Sequence, residues 1–135
     1  DPKSPYSGVI SIFVDRIIEN KYIKINGGSQ TRDFIFVDDV VLSIYKSIQI
    51  TKSKKINDKI NILTGKITSI NKLSDIIYKK LDKQPKKKFK PMINGDPMKS
   101  DGTTKKMKKI LNLKLSSMVL IEEGLSRTID HIKKF

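Results

Sequence analysis

The spacing of apolar residues changes along the chain between a helical and a strand-like period, and these periods predict its first elements. Apolar residues recur every three or four positions over residues 8–20, which predicts a helix with a wide apolar face. Apolar and polar residues alternate at 22–25, as in a short strand. After a glycine turn at 27–28, an apolar run predicts a strand at 34–37, and a helix from about 38 to 50 follows.

The second half of the chain predicts shorter elements separated by charged segments. In order, these are an interior strand at 60–63, a helix at about 69–81 capped by Ser69 or Asn71, an edge strand or exposed loop at 86–90, a turn-rich segment at 91–102, a short basic helix capped by Thr103 or Thr104, and a last helix at 118–135. We expect an α/β fold of the mixed α+β kind, with short strands and about five helices, in which residues 1–135 form a single domain.

Composition argues against several kinds of site. The 135 residues contain no cysteine and a single histidine, His131, so neither a disulfide framework nor a metal site built from thiolates or imidazoles is expected. No apolar run approaches the length of a membrane span, and the first residues lack the pattern of a signal peptide. We therefore expect a soluble, cytoplasmic protein with no metal and no membrane partner.

The chain is strongly basic, with 28 Lys and Arg against 14 Asp and Glu and a net charge of +14. Such a charge is typical of proteins that bind nucleic acid, since basic side chains neutralise phosphates. However, nearly all of the excess is lysine, and no aromatic residues alternate with the lysines as they do in single-strand binding proteins. Nucleic-acid binding is therefore the less favoured explanation of the positive charge.

Arg32 is the candidate with the clearest chemistry, because it lies at the head of the predicted strand at 34–37, two residues before its start. Its planar guanidinium could bind a phosphate or carboxylate through two parallel hydrogen bonds. Alternatively, Arg32 pairs with Asp33 or Asp38 and closes the turn. The amino end of the first helix, near Gly8, is likewise either an anion site or the ordinary start of a buried helix.

Several stretches, taken in this order, resemble the carboxy-terminal part of one enzyme family: 4–10, 30–40, 61–65 with 68–70, the Gly95-Asp96 pair, and 120–125 with Thr128. The family is that of the NAD-dependent nucleotide-sugar epimerases and dehydratases, which are extended short-chain dehydrogenases. The resemblance is strongest to its UDP-glucose 4-epimerase branch. It rests mainly on the Arg-Asp-Phe motif at 32–34 and covers nearly the whole chain.

The resemblance implies a role for six residues in binding a UDP-sugar. Arg32 would clamp the diphosphate, and Gly8 and Val9 would face it from the start of the first helix. The remaining three residues lie near the nucleoside: Asp96 would accept hydrogen bonds from the ribose hydroxyls, and Ile25 and Asn26 belong to the segment 22–26, which would form part of the wall around the base.

The sequence departs from the family pattern at several positions. Ile93 stands where a second diphosphate-binding arginine is usual, so one diphosphate contact is either missing or supplied by a nearby lysine such as Lys99. Leu63 stands where glycine is common, and the glycine turn is one residue shorter than is usual. The geometry of the substrate site is therefore expected to differ in detail from the family pattern.

The resemblance places NAD and a catalytic tyrosine, with a lysine four residues later, on an amino-terminal Rossmann domain. None of Tyr6, Tyr22, Tyr45 and Tyr78 has a lysine four residues on. We therefore expect no catalytic residue and no cofactor site in this chain, which would be a fragment or one half of a split enzyme. Its partners would be a UDP-sugar and the missing Rossmann domain, in cis or in trans, and the family pattern is compatible with a homodimer.

The favoured function is the substrate-binding portion of a UDP-glucose 4-epimerase-like enzyme. The alternatives are the same portion of a nucleotide-sugar 4,6-dehydratase or decarboxylase and, from a different class, a basic nucleic-acid-binding domain. Without its neighbouring domain, the chain should expose apolar surface, which we expect around Val9, Phe13 and residues 34–36.

Overall fold

The computed structural model describes residues 8–53 and 55–134 and confirms a mixed α/β fold. Within these ranges there are five α-helices and five short strands. The helices are α1 (Val9–Ile18), α2 (Val37–Ser53), α3 (Ile70–Lys80), α4 (Lys105–Leu111) and α5 (Ile121–Ile132). The strands are β1 (Ile23–Asn26), β2 (Thr31–Asp33), β3 (Ile67–Ser69), β4 (Lys87–Lys90) and β5 (Lys99–Ser100). The family-like stretch at 4–7, with Tyr6, lies outside the described residues.

The strands form two small sheets that bring distant segments together. In the first, β1 pairs in parallel with β4. In the second, β2 is central and pairs antiparallel with β3 and parallel with β5. Arg32 lies opposite Thr68 on one side and Ser100 on the other. The three-stranded sheet therefore fixes the backbone of Arg32 from both sides.

A chain of this length is large enough to bury a substantial core. In the part of the chain that the structure describes, the buried apolar residues form two clusters. The larger cluster joins α1, β1, α3 and α5, and its buried members include Val14, Ile17, Ile23, Leu73 and Leu125. The smaller cluster is built around α4 and the segment after it. Its buried members are Met107, Leu111, Leu113 and Met118.

Several predicted features are confirmed. Ser69 caps α3, because its hydroxyl accepts a hydrogen bond from the N–H of Lys72 at 3.1 Å. Residues 87–90 form an edge strand, β4, whose neighbour in its sheet is β1. The turn after residue 92 is closed by a bond from the N–H of Asp96 to the carbonyl of Ile93 at 3.1 Å, with Gly95 at a φ of +86°.

The predicted strand at 34–37 is wrong, because β2 ends at Asp33 and α2 begins at Val37. The helix starts here because the carbonyl of Phe36 accepts from the N–H groups of Asp39 and Val40, at 3.1 and 3.3 Å. The apolar side chains of 34–36 are partly buried but belong to a connecting segment. The strand is instead the preceding segment, which contains Arg32 itself.

Two other element predictions are wrong. Residues 60–63 form no strand, although Ile60 and Ile62 pack against the smaller apolar cluster. The last helix begins at Ile121 rather than at 118, since Leu120 is its N-cap and residues 115–117 form a short 3-10 turn. In both cases the apolar pattern indicates that the side chains are packed, but it does not indicate the conformation of the backbone.

We expect Asp33→Ala to lower the free energy of unfolding by about 1–3 kcal/mol. The Asp33 carboxylate accepts from the N–H and hydroxyl of Thr64, at 3.0 and 2.6 Å, and from the N–H of Gly65 at 2.8 Å. Alanine would leave these donors to water or without a partner. Urea unfolding measures the effect, with the exposed Asp101→Ala as a control. Equal midpoints for the two variants would contradict this role of Asp33.

Candidate functional site

Arg32 and Asp96 contact each other in the structure, although they are 64 positions apart in the chain. One terminal nitrogen of Arg32, Nη2, donates to Oδ1 of Asp96. The other, Nη1, donates to the carbonyls of Thr31 and Pro97, both at 2.8 Å. The two side chains are 23% and 31% exposed, so the ion pair is partly buried but reachable from solvent.

The alternative prediction, that Arg32 pairs with Asp33 or Asp38, is wrong, because its ion-pair partner is Asp96. The carboxylate of Asp33 is taken up by Thr64 and Gly65, and that of Asp38 accepts from Arg127 at 3.4 Å. Arg32 therefore does not close the turn before α2. It pairs instead with a carboxylate that the sequence separately marks as a candidate site residue.

The guanidinium of Arg32 keeps some of its capacity to bind an anion. It carries five N–H donors, of which two on Nη1 and one on Nη2 are engaged. Within the ranges that the structure describes, the other two donors have no hydrogen-bond partner. A bound oxyanion can therefore use these two donors, or can replace Asp96 at the third.

An open cleft of about 340 Å³ lies beside this ion pair. This volume is within the range of small-molecule sites. Five of the six predicted site residues line it, namely Val9, Ile25, Asn26, Arg32 and Asp96. The sixth, Gly8, is the N-cap of α1 and adjoins Val9. The structure thus brings together residues that the sequence spreads over nearly ninety positions.

The amino end of α1 opens near this cleft, since Val9, its first residue, is one of the lining residues. Gly8 has an extended backbone and no side chain with which to cap the helix. The N–H groups of the first turn have no helical partner, and the helix dipole favours negative charge there. The helix start and Arg32 therefore offer donors to the same cleft.

Sequence reasoning missed several residues of the cleft. Lys24 and Gln30 line it, together with Ile12, Phe13, Ile70 and Ile93. Lys99, which was expected to replace a missing arginine, lies on β5 and is not among the lining residues. Lys24 is the second cation of the cleft. Lys24 belongs to the segment 22–26 that the resemblance placed around the base, but its charge was not counted as part of the site. Its position between two buried isoleucines of β1 marks it as facing away from the core.

The prediction that apolar surface is exposed around Val9, Phe13 and residues 34–36 is partly wrong. Phe13 is only 3% exposed, because it packs in the larger apolar cluster, and Val9 and Phe34 are partly buried against the same cluster. Large apolar side chains are exposed at several other places, and five of them, each more than half exposed, form a face on α2. They are Val37 (62%), Val41 (58%), Ile44 (56%), Tyr45 (59%) and Ile48 (51%), which we call the α2 face.

The described residues hold no group of three or more His, Cys, Asp or Glu side chains that could bind a metal ion. None of their helices is both long enough and apolar enough to cross a membrane.

Comparisons with known proteins show which enzymes this chain is similar to. A family model, that of the NAD dependent epimerase/dehydratase family, matches residues 1–62. A putative UDP-glucose 4-epimerase of Methanocaldococcus jannaschii is 45% identical over 78 residues, which are 57% of this chain and 24% of that protein. A UDP-glucuronate 4-epimerase of Thermodesulfobacterium geofontis is 32% identical over 124 residues, 90% of this chain and 36% of that protein.

A similar solved structure is that of the UDP-glucose 4-epimerase of Thermotoga maritima with UDP-glucose. It matches with a TM-score of 0.88 and 31% identity, over 99% of this chain and 41% of that one. The chain thus spans well under half the length of these relatives. The resemblance seen in the Arg-Asp-Phe motif is confirmed: the chain belongs to the NAD-dependent epimerase/dehydratase family and corresponds to the carboxy-terminal part of a nucleotide-sugar epimerase or dehydratase.

Proposed function

We propose that this chain is the substrate-binding part of a UDP-glucose 4-epimerase-like enzyme and that its cleft binds the nucleotide of a UDP-sugar. The observation that carries the proposal is the meeting of Arg32 and Asp96 at one cleft, beside Val9, Ile25 and Asn26. These five residues come from four separate segments of the chain. Their convergence is hard to explain by packing alone, because the arginine and the carboxylate remain partly exposed.

The proposed roles follow from the chemistry of each side chain. Arg32 binds the diphosphate through its free donors, and the first turn of α1, at Gly8 and Val9, adds backbone N–H groups. Lys24 supplies the second positive charge, which the family pattern assigns to an arginine at the place of Ile93. The nucleoside end is held by Asp96, whose carboxylate accepts from ribose hydroxyls, and by Ile25 and Asn26 beside the base.

We propose that NAD and the proton-transferring residues belong to the additional length that the relatives possess. The glycine turn of this chain, Gly27-Gly28, joins two strands, whereas a dinucleotide fingerprint joins a strand to a helix. The described residues therefore do not fit NAD. In the intact enzyme, NAD supplies transient oxidation of the sugar, while this chain holds the nucleotide so that remote binding energy positions the reacting carbon.

We further propose that the rest of such an enzyme covers the α2 face, where five large apolar side chains are more than half exposed. Contiguous apolar surface of this kind marks an interaction site in a folded protein. A single domain spanning residues 1–135, with its partner domain in cis or in trans, is consistent with this surface.

The proposal is tested by titrating the chain with UDP and, separately, with a ten-nucleotide oligothymidylate. We expect UDP to bind with a shallow dependence on salt and to shift the amide signals of Arg32, Asn26 and Asp96 in NMR spectra. Charge-reducing changes at the partly buried Lys86 and the exposed Lys88 should leave UDP binding unchanged. Tighter binding of the oligonucleotide, with a salt slope of several units, would instead favour the nucleic-acid-binding alternative.

A further inference from the structure

Gln30 has a buried side chain that joins three parts of the cleft. The residue is 4% exposed. Its Oε1 accepts from the N–H of Gly28 at 2.6 Å, and its Nε2 donates to the carbonyl of Asn26 at 2.6 Å. The same Nε2 lies 3.4 Å from Oδ2 of Asp96, the carboxylate whose other oxygen pairs with Arg32.

These partners fix which way the amide of Gln30 points. A backbone N–H can only donate, so Oε1 must face Gly28, and a backbone carbonyl can only accept, so Nε2 must face Asn26. The second N–H of Nε2 is then directed toward Asp96. The amide thus offers Asp96 a donor that no rotation of the side chain could withdraw without breaking two other hydrogen bonds.

The backbone around Gln30 is anchored as well. The carbonyl of Gln30 accepts from the N–H of Ile70 at 3.1 Å, and that of Gly28 accepts from the N–H of Asn71 at 2.9 Å. Gly27 and Gly28 adopt φ values of +72° and +111°, and a Cβ on Gly27 would lie 2.9 Å from Oε1 of Gln30. The turn therefore needs glycine there, and the side chain of Gln30 fills the space that this leaves.

We propose that Gln30 is a positioning residue, which holds the Asp96 carboxylate, and through it the Arg32 guanidinium, in register with Asn26. The inference depends on the proposed function only for the identity of the ligand. Among the described residues, the charged side chains that line the cleft with Gln30 are Lys24, Arg32 and Asp96. An amide at position 30 adds a donor toward Asp96 without adding charge to this set.

The first test needs no ligand and uses the substitution Gln30→Glu, which keeps the shape but removes both donors. A carboxylate would then face the Asp96 carboxylate and the Asn26 carbonyl, so we expect the Tm to fall by about 5–10 °C. In an Asp96→Asn background the same change should cost less than half as much, because the new amide could donate to the introduced carboxylate. Equal losses in the two backgrounds would overturn the proposed link between Gln30 and Asp96.

The second test measures UDP affinity between pH 5 and pH 7.5, with Gln84→Glu as the matched control on an exposed glutamine. We expect Gln30→Glu to raise the Kd at least tenfold at pH 7.5. The difference should shrink toward pH 5 as the introduced carboxyl takes up a proton. A ratio that does not change with pH, or an unchanged Kd, would contradict the inference. If the unaltered chain fails to bind UDP, the proposed function fails, and the thermal measurements still decide the role of Gln30.

Discussion

Arg32→Ala is expected to weaken UDP binding by about 2–4 kcal/mol, the cost of removing a charged, bidentate partner of a phosphate. Arg32 lies on the central strand β2 and is held by the carbonyls of Thr31 and Pro97 at 2.8 Å. Its donors are therefore positioned before the ligand arrives, so little ordering entropy is paid on binding. Calorimetric titration of the chain with UDP measures the loss.

Two further variants distinguish the charge of Arg32 from the geometry of its donors, and both from a general loss of structure. Arg32→Lys keeps the charge but loses the planar donor pair, so we expect an affinity between those of the unaltered chain and Arg32→Ala. Arg127→Ala removes an arginine that pairs with the exposed Glu123 and Asp38, away from the cleft, and should leave UDP binding unchanged. Unchanged affinity in Arg32→Ala, or an equal loss in Arg127→Ala, would remove Arg32 from the site.

Residue type alone marked Arg32 as a candidate, whereas the role of Asp96 came from the resemblance to the enzyme family, and both roles remain predictions. An arginine before an apolar run, and a Gly-Asp pair in a strong turn, could be read without knowing the fold. The contact between Arg32 and Asp96 could not be predicted in this way, since the two residues meet only when β5 pairs with β2. Gln30 was missed for a related reason: the partner that links it to the ion pair, Asp96, lies 66 positions away in the chain.

The strand predictions failed where a strand needs a partner. The apolar run at 60–63 has the composition of an interior strand, but no segment in the described part of the chain pairs with it. Apolar periodicity reports which side chains are buried, whereas a strand also needs a neighbour to which its backbone can bond. By contrast, the helices satisfy their own backbone groups, which is why α1, α2 and α3 were found near their predicted limits.

The α2 face gives the second large expected effect. Burial of its five apolar side chains by a partner domain should contribute roughly 5 kcal/mol, at about 1 kcal/mol for each half-exposed side chain. The chain alone should therefore bind an apolar dye and self-associate at high concentration. We expect the double substitution Val41→Glu with Ile48→Glu to reduce both dye fluorescence and self-association, measured by sedimentation velocity.

The same double substitution should also prevent assembly with the rest of the enzyme. The Methanocaldococcus jannaschii relative is 45% identical to this chain over the matched residues. The amino-terminal part of that relative can therefore be co-expressed with this chain as its partner domain. We expect the unaltered chain to co-purify with it and the variant to lose at least 100-fold in affinity, because two carboxylates would have to be buried without partners.

The control places the same charge on the same helix outside the α2 face. Leu42→Glu with Gln49→Glu changes two exposed positions, each one residue after a substituted one, and should leave dye binding and assembly close to those of the unaltered chain. The side of α2 that faces the protein includes the buried Ser43, whose hydroxyl bonds to the Asp39 carbonyl at 2.6 Å, and neither variant touches it. If both variants behave alike, the effect is one of charge, and the α2 face is not where the partner domain packs.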